Sequence, residues 1–452
     1  VSDKKYEVGT SPWANAWKIA AAAGVLGLLG AGAGYASDAK RFAFSYLFAI
    51  TVVMTVSLGT LFFVVVQHIS AAHWSVPVRR VAEFFVGAIP VMVVLFLPLF
   101  AVMQHFPQWE HYGHAAETAQ HGATEGHGEH GQTTGHTTTT EHGQAEHATP
   151  GVDPDIAGLH HIHHQTLERK KAYFGSTFFY LRQALYLLSW VLLSRRFFKA
   201  STDQDKSKDK KLTVMMARSA PISISIFALT LTFCAFDWLM ALDPAWYSTI
   251  FGVWIFSGAL VSSMAVIILL ALGLRRSGLI NSAVSIEHLH ELTKLMFGFN
   301  CFWAYITFSQ FFLIWYASIP EETVFYHARW NDNPAWQSVG LLLIFGHFVV
   351  PFILLMSRNV KRRMPLVALG ASLLLAMHVT EIYWLVLPMY KSAAHGAAAA
   401  EAHGLPLHWM DFACLLGVAG VYFAAVLKLL TQHSLVPVGD PRLERGLHHD
   451  VG

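Results

Sequence analysis

The sequence predicts an all-α polytopic membrane protein with about ten transmembrane helices. Three observations carry that reading. Of 452 residues, 54% are hydrophobic and only 13% are charged, where a soluble chain of this size would carry roughly a quarter charged residues. The apolar residues fall into long runs, each able to cross a hydrocarbon core of about 30 Å. Basic residues gather in every second connection between those runs, the pattern expected of loops on one side of a membrane. The net charge of +2 gives no case for nucleic-acid binding.

The first fifteen residues are polar and show no small-residue cleavage pattern, so they read as a cytoplasmic tail rather than a removable signal. Residues 1–104 hold that tail and three spans, near Trp17–Tyr35, Phe42–Val66 and Val81–Met103. Gly30 and Gly34 give the first span a spacing that lets another helix approach closely. Pro90 and Pro98 predict a bent third span whose freed carbonyls need partners. Residues 105–170 are a histidine-rich, low-complexity loop that cannot bury enough apolar surface to fold by itself. Its imidazoles can take up divalent metal, but their irregular spacing does not describe a defined site.

Residues 171–432 carry the remaining spans, near Phe174–Leu193, Ser219–Leu242, Trp246–Gly273, Leu292–Ala317, Ala335–Met356, Pro365–Pro388 and Leu407–Thr431. Residues 433–452 read as a C-terminal tail. Arg79-Arg80, the loop from Arg195 to Lys211, Arg275-Arg276 and the cluster Arg358, Lys361, Arg362, Arg363 all occupy even-numbered connections. These assign one side, with both termini, to the cytoplasm, and the histidine tract to the outside. Arg169-Lys170-Lys171 is the one local exception.

The three cysteines lie far apart in apolar runs, with no CxxCH and no grouped thiols for a cluster or zinc. Chemistry therefore has to come from the few ionisable residues inside the spans. His378 and Glu381 are three apart on one helical face. His347 lies roughly 18 Å below the outer end of its span and His378 roughly 16 Å below the end of its own, which sets them at similar depth. Asp237 is nearer the outer surface, and Arg182, with Gln183 beside it in span four, is its expected structural partner. Glu287, His290, Glu291 and Lys294 form a polar stripe entering span seven, with Asn300, Tyr305, Thr307, Ser309 and Gln310 above it.

The sharp reading is a proton path: entry at His290 and Glu291, exchange at His347 and His378, release past Glu381 and Asp237. The bland one is that buried polar residues simply bond neighbouring helices, and that the stripe is a solvated helix start. A haem between His347 and His378 is a weaker reading, since a single pair is easily coincidental.

Three stretches carry a resemblance. One is Phe236-Asp237-Trp238-Leu239-Met240-Ala241-Leu242-Asp243-Pro244, running on to Trp254, read as a helix end, a tight turn at Asp243-Pro244, and the next helix. The second is Phe302-Trp303-Ala304-Tyr305-Ile306-Thr307-Phe308-Ser309-Gln310, continuing to Thr323. The third is Met377-His378-Val379-Thr380-Glu381-Ile382-Tyr383-Trp384, with Pro388 behind it. Together they resemble the F subunit of alternative complex III, a bacterial quinol:cytochrome c oxidoreductase, where Glu381 stands at a position more often filled by Asp. The N-terminal third matches in layout, and the histidine-rich insertion is outside the pattern.

That resemblance implies an NrfD/polysulfide-reductase-type membrane subunit: two four-helix bundles plus flanking helices, in the bacterial inner membrane. It implies no cofactor of its own, with quinol (menaquinol in such complexes) used by the complex. Implied partners are a multihaem cytochrome c subunit, an iron–sulfur subunit, a second NrfD-like membrane subunit and, as a further option, a terminal oxidase. The expected role is structural and proton-conducting. Alternatives are a quinol site on this chain, with Asp237, His378 and Glu381 accepting the protons, and an ion transporter unrelated to respiration.

Overall fold

A computed structural model describes residues 6–107, 109, 166, 169–331, 334–392, 405 and 407–449. The histidine-rich loop, apart from its edges, lies outside the described residues. Among those described there is no strand, and nine helices are long and apolar enough to cross a membrane. In chain order the long helices are α1 (Trp13–Ser37), α2 (Ala39–Ile69), α3 (Val76–His105), α4 (Ser176–Ser207), α5 (Lys210–Trp238), α6 (Phe251–Arg276), α7 (Ile286–Ala317), α8 (Pro334–Met356), α9 (Met364–Val386) and α10 (Trp409–Gln432). The tenth, α4, is too polar on average to count with the nine. Its polarity is one-sided: Arg182, Gln183, Ser194 and Ser201 are buried, while Leu181, Leu185, Leu188 and Leu192 are exposed at helical spacing.

Helix contacts close into two rings. In one, α2, α3, α4 and α5 each pack on the next; in the other, α6, α7, α8 and α9 do the same. The rings meet along α2 and α6, and α1 with α10 forms a flanking pair against α2. Burial follows that plan: 89% of the apolar window of α2 is inside the protein but only 22% of that of α1. The expected two bundles with flanking helices are therefore present.

α3 is broken at Ala88 and again at Leu97. Pro90 has no N–H for the Val86 carbonyl four residues earlier, and Ser194 Oγ donates to that oxygen instead (2.6 Å). Tyr422 donates to Phe85 O (2.9 Å) and Tyr46 to Leu95 O (2.7 Å), so carbonyls beside both bends are also tied to other helices.

Four sequence expectations need correction. The close approach between α1 and α10 centres on Gly24 and Gly27 rather than on Gly30 and Gly34: a Cβ on Gly27 would lie 2.3 Å from Gly417 N, whereas one on Gly30 would lie 3.2 Å from Ala413 Cβ. α6 opens at Phe251, not Trp246. The preceding residues are held by tertiary contacts, with Trp246 stacked on Phe325 (4.3 Å) and donating to Glu322 O (3.1 Å). Arg79 and Arg80 are not in an open loop but fully buried in α3, bonded to Glu83, Asp205 and Asp440. Finally, the tail after α10 is packed: Leu435 and Val436 are buried, Leu435 N donates to Tyr6 O (2.8 Å), and Asp440 supplies Arg79 with a carboxylate (2.8 Å).

The exceptional basic run before α4 has a structural reason. Lys170 Nζ donates to Pro244 O (2.6 Å) and Trp246 O (3.0 Å), clamping the α5–α6 connection. Burial pushes its ammonium down to about 8, against the opposing pull of Asp243.

Candidate functional site

The second ring encloses a buried carboxylate flanked by two imidazoles. α9 presents His378 and Glu381 one turn apart, both buried, with His378 Nδ1 3.3 Å from Glu381 Oε2. α8 supplies His347, whose Nε2 lies 3.9 Å from the same oxygen. His347 sits in a widened π turn over Ile344–Val349. Pro351 explains the widening, because it cannot donate to the carbonyl of His347 four residues back.

The other carboxylate oxygen is fully occupied. Trp254 of α6 and Trp303 of α7 each donate an indole N–H to Glu381 Oε1, at 2.7 and 2.6 Å. Trp303 also lies flat against His347, with ring centres 3.8 Å apart. A Cβ on Gly258 of α6 would come within 3.0 Å of Glu381 Oε2 and 3.1 Å of His378, so any side chain there would press on the pair.

A further helix reaches His378. Thr55 Oγ1 on α2 lies 2.9 Å from Thr51 O and Val52 O of its own helix and 2.8 Å from His378 Nε2, so the imidazole is held at both ring nitrogens, by the hydroxyl at one and by Glu381 at the other. The two tautomers of the ring exchange donor and acceptor roles along this line. His347 has the complementary arrangement: Nδ1 faces Asn300 Oδ1 at 3.3 Å, and Nε2 points toward Glu381 with no hydrogen-bond partner. A second imidazole nitrogen therefore stands beside the His378–Glu381 contact. Among the described residues this is the one trio of donors close enough to surround an ion. A haem between the histidines has no room, because Glu381 fills the space between them and Trp303 covers one ring.

Glu381 also forms part of the wall of a cavity of ≈ 430 Å³ between α7, α8 and α9. Its lining is almost wholly apolar, and Phe308 and Ile344 on its rim are exposed on the outside of the bundle. Three polar atoms of lining residues, Thr307 Oγ1, Tyr326 Oη and Trp384 Nε1, are buried without a partner. Arg329 in the α7–α8 connection ties that connection to α9, donating to Leu385 O (2.8 Å), Phe325 O (2.9 Å) and Trp384 O (3.2 Å).

The remaining sequence candidates do not join this cluster. Asp237 belongs to the first ring. It accepts from Arg182 Nη2 (2.9 Å), Gln183 Nε2 (2.7 Å) and Tyr186 Oη (3.3 Å), while Arg182 rests on Tyr173 (3.8 Å). The expected Arg182 partnership holds. Glu291 pairs with Lys294 (2.6 Å) and Glu287 with Arg362, which makes the start of α7 an ion-paired helix end. His290 is buried with both ring nitrogens unpartnered. The six residues of the sequence-level path are thus split among three locations.

Sequence reasoning did not single out Thr55, Trp254, Trp303 or Gly258. Trp254 and Trp303 had a signal, since each lies inside a recognised stretch, and Trp303 is also well away from a helix end, where tryptophan usually sits. Thr55 and Gly258 had none. No protein-family model matches the chain, and no curated protein matches it.

Proposed function

We propose that this chain is the membrane subunit of a respiratory quinol:electron-acceptor oxidoreductase and that its second bundle exchanges protons at Glu381, His378 and His347. The observation that supports the reading best is the approach of His378 Nδ1 to Glu381 Oε2 (3.3 Å), with the unpartnered Nε2 of His347 3.9 Å from the same oxygen. Carboxylate and imidazole trade a proton over such distances with little motion of heavy atoms. The respiratory assignment comes from the three sequence stretches, and all three contribute directly to the cluster, through Trp254, through Trp303 and through His378 with Glu381. On this reading Asp237 is a structural carboxylate, not a release site, and the chain's own role is coupling and scaffolding. The sidedness follows from the basic connections, with both termini in the cytoplasm.

Glu381→Gln tests this in the intact complex reconstituted in vesicles. It removes the ionisable proton but keeps an oxygen for the two indoles. Quinol turnover should persist while the number of protons moved per electron falls. Unchanged stoichiometry at full turnover would leave only a scaffold.

One observation favours a second reading, a quinol held on this chain. The ≈ 430 Å³ cavity opens between apolar side chains and brings Glu381, Thr307, Tyr326 and Trp384 to one apolar space, as a ring with polar substituents requires. In that case Glu381→Gln should lower turnover itself by roughly 100-fold, the scale of a lost general base.

A further inference from the structure

A second pocket lies far from the carboxylate cluster, at the end of the molecule where the chain termini meet. It has a volume of ≈ 590 Å³ and is lined by Arg196, Lys210, Lys211 and Arg218 around Val214 and Met215. No carboxylate is among its lining residues. Of the acids on the same hairpin, Asp203 is not among the lining residues, Asp205 pairs with Arg80 (2.5 Å) and Asp209 caps α5 by accepting from Lys211 N (2.8 Å). Among the described residues none of the four cations makes an ion pair, and all four are exposed. Four uncompensated positive charges at one place repel each other and call for an anion.

The pocket is continuous with the membrane-facing surface. On α4 the exposed stripe Leu181, Leu185, Leu188, Leu192 runs at helical spacing directly into Arg196. On α5 the exposed Leu229 and Ile222 lead to Arg218, then Val214, then Lys211. A ligand that satisfies both parts has acyl chains along the stripes and phosphate among the cations. A soluble anion would use only the second part.

We propose that the α4–α5 hairpin binds an anionic phospholipid with two phosphates, of the cardiolipin class, in the leaflet on the side of the termini. Four cations match two phosphates better than one, and arginine supplies paired donors that suit phosphate oxygens. The site would hold a lipid against the outer face of the first bundle, remote from Glu381, and does not depend on the function proposed above.

The test uses the full chain extracted in mild detergent and analysed by native mass spectrometry. It is titrated in turn with cardiolipin, phosphatidylglycerol, phosphatidylcholine and inorganic pyrophosphate. Cardiolipin should be retained best and phosphatidylcholine least. Arg196→Gln with Arg218→Gln should weaken cardiolipin retention by about 30-fold, the scale of two basic side chains near an anionic headgroup. Arg196→Lys with Arg218→Lys should retain most of the binding and shows that the fold tolerates change there. Equal retention of all three lipids, or no loss in the glutamine variant, would overturn the proposal. So would pyrophosphate binding as tightly as the lipid, which would assign the pocket to a soluble anion. Protection of Lys210 and Lys211 from chemical labelling by another polypeptide in the intact complex would assign it to a protein and overturn it equally.

Discussion

Asp237 and Glu381 are both carboxylates buried in apolar surroundings, yet they are held in opposite ways. Asp237 is surrounded by donors, above all the Arg182 guanidinium, so its charge is compensated on the spot and has nowhere to go. Glu381 gives one oxygen to two indoles and turns the other toward two imidazoles, which can lose or gain a proton. The difference is testable. Asp237→Asn leaves Arg182 largely buried without its counter-charge, so stability should fall by about 3–5 kcal/mol. Thermal unfolding of the purified chain would measure that, and the proton stoichiometry of the surviving complex should not change. An altered stoichiometry would return Asp237 to the proton path.

At the scale of elements, the α1–α10 pair depends on the absence of side chains. Gly24 and Gly27 on α1 lie against the backbone of Gly417 and Gly420 on α10, and dispersion between two close backbones is what holds the pair together. Gly27→Leu should separate the helices, since even a single Cβ there would lie 2.3 Å from the backbone nitrogen of Gly417. Cysteines at Gly30 and Ala413, whose Cβ positions lie 3.2 Å apart, should cross-link on oxidation in the parent and fail to do so with Gly27→Leu. Efficient cross-linking in both would show that the seam tolerates bulk. At the bends of α3, the carbonyl freed by Pro90 accepts from Ser194, and neighbouring carbonyls accept from Tyr422 and Tyr46, so three other helices hold the bent backbone.

For the molecule as a whole, the C-terminal tail closes the first bundle from the side of the termini. Asp440 bridges Arg79 (2.8 Å) and Arg442 (2.9 Å). Burial alone would raise its carboxyl, but Arg79 and then Arg442 outweigh that and hold it well below the usual carboxylate range. A group whose folded pKa is depressed adds stability that is full above its ordinary value of 3.8 and is lost as pH falls through the lower folded value. Thermal unfolding should therefore shift to lower temperature as pH drops below about 4. Asp440→Asn should show a lower midpoint at neutral pH and a weaker acid dependence; an unchanged acid profile would remove Asp440 as its source. By contrast, deleting residues 115–155 should leave assembly and activity near the parent level, because so polar a tract contributes little packing. Loss of the complex on that deletion would mean that the tract docks a partner.

The sequence by itself determined the class of fold and most of the helix positions, because a span of apolar residues in lipid has no alternative to the helix. It also gave the pairing of His378 with Glu381, which follows from helical spacing alone, and the partnership of Arg182 with Asp237, which follows from the cost of burying one charge without another. Tertiary structure decided the rest. Whether Glu381 meets Trp254, Trp303, Thr55 and His347 depends on which helices become neighbours, and those residues are spread over four other helices. The same holds for Arg79 and Arg80. Read along the chain they are a loop signal on the cytoplasmic side, and the carboxylates that allow their burial include Asp205 and Asp440, more than a hundred residues away. Composition can announce that a charge needs a partner, but only the packing of distant segments selects which one it receives.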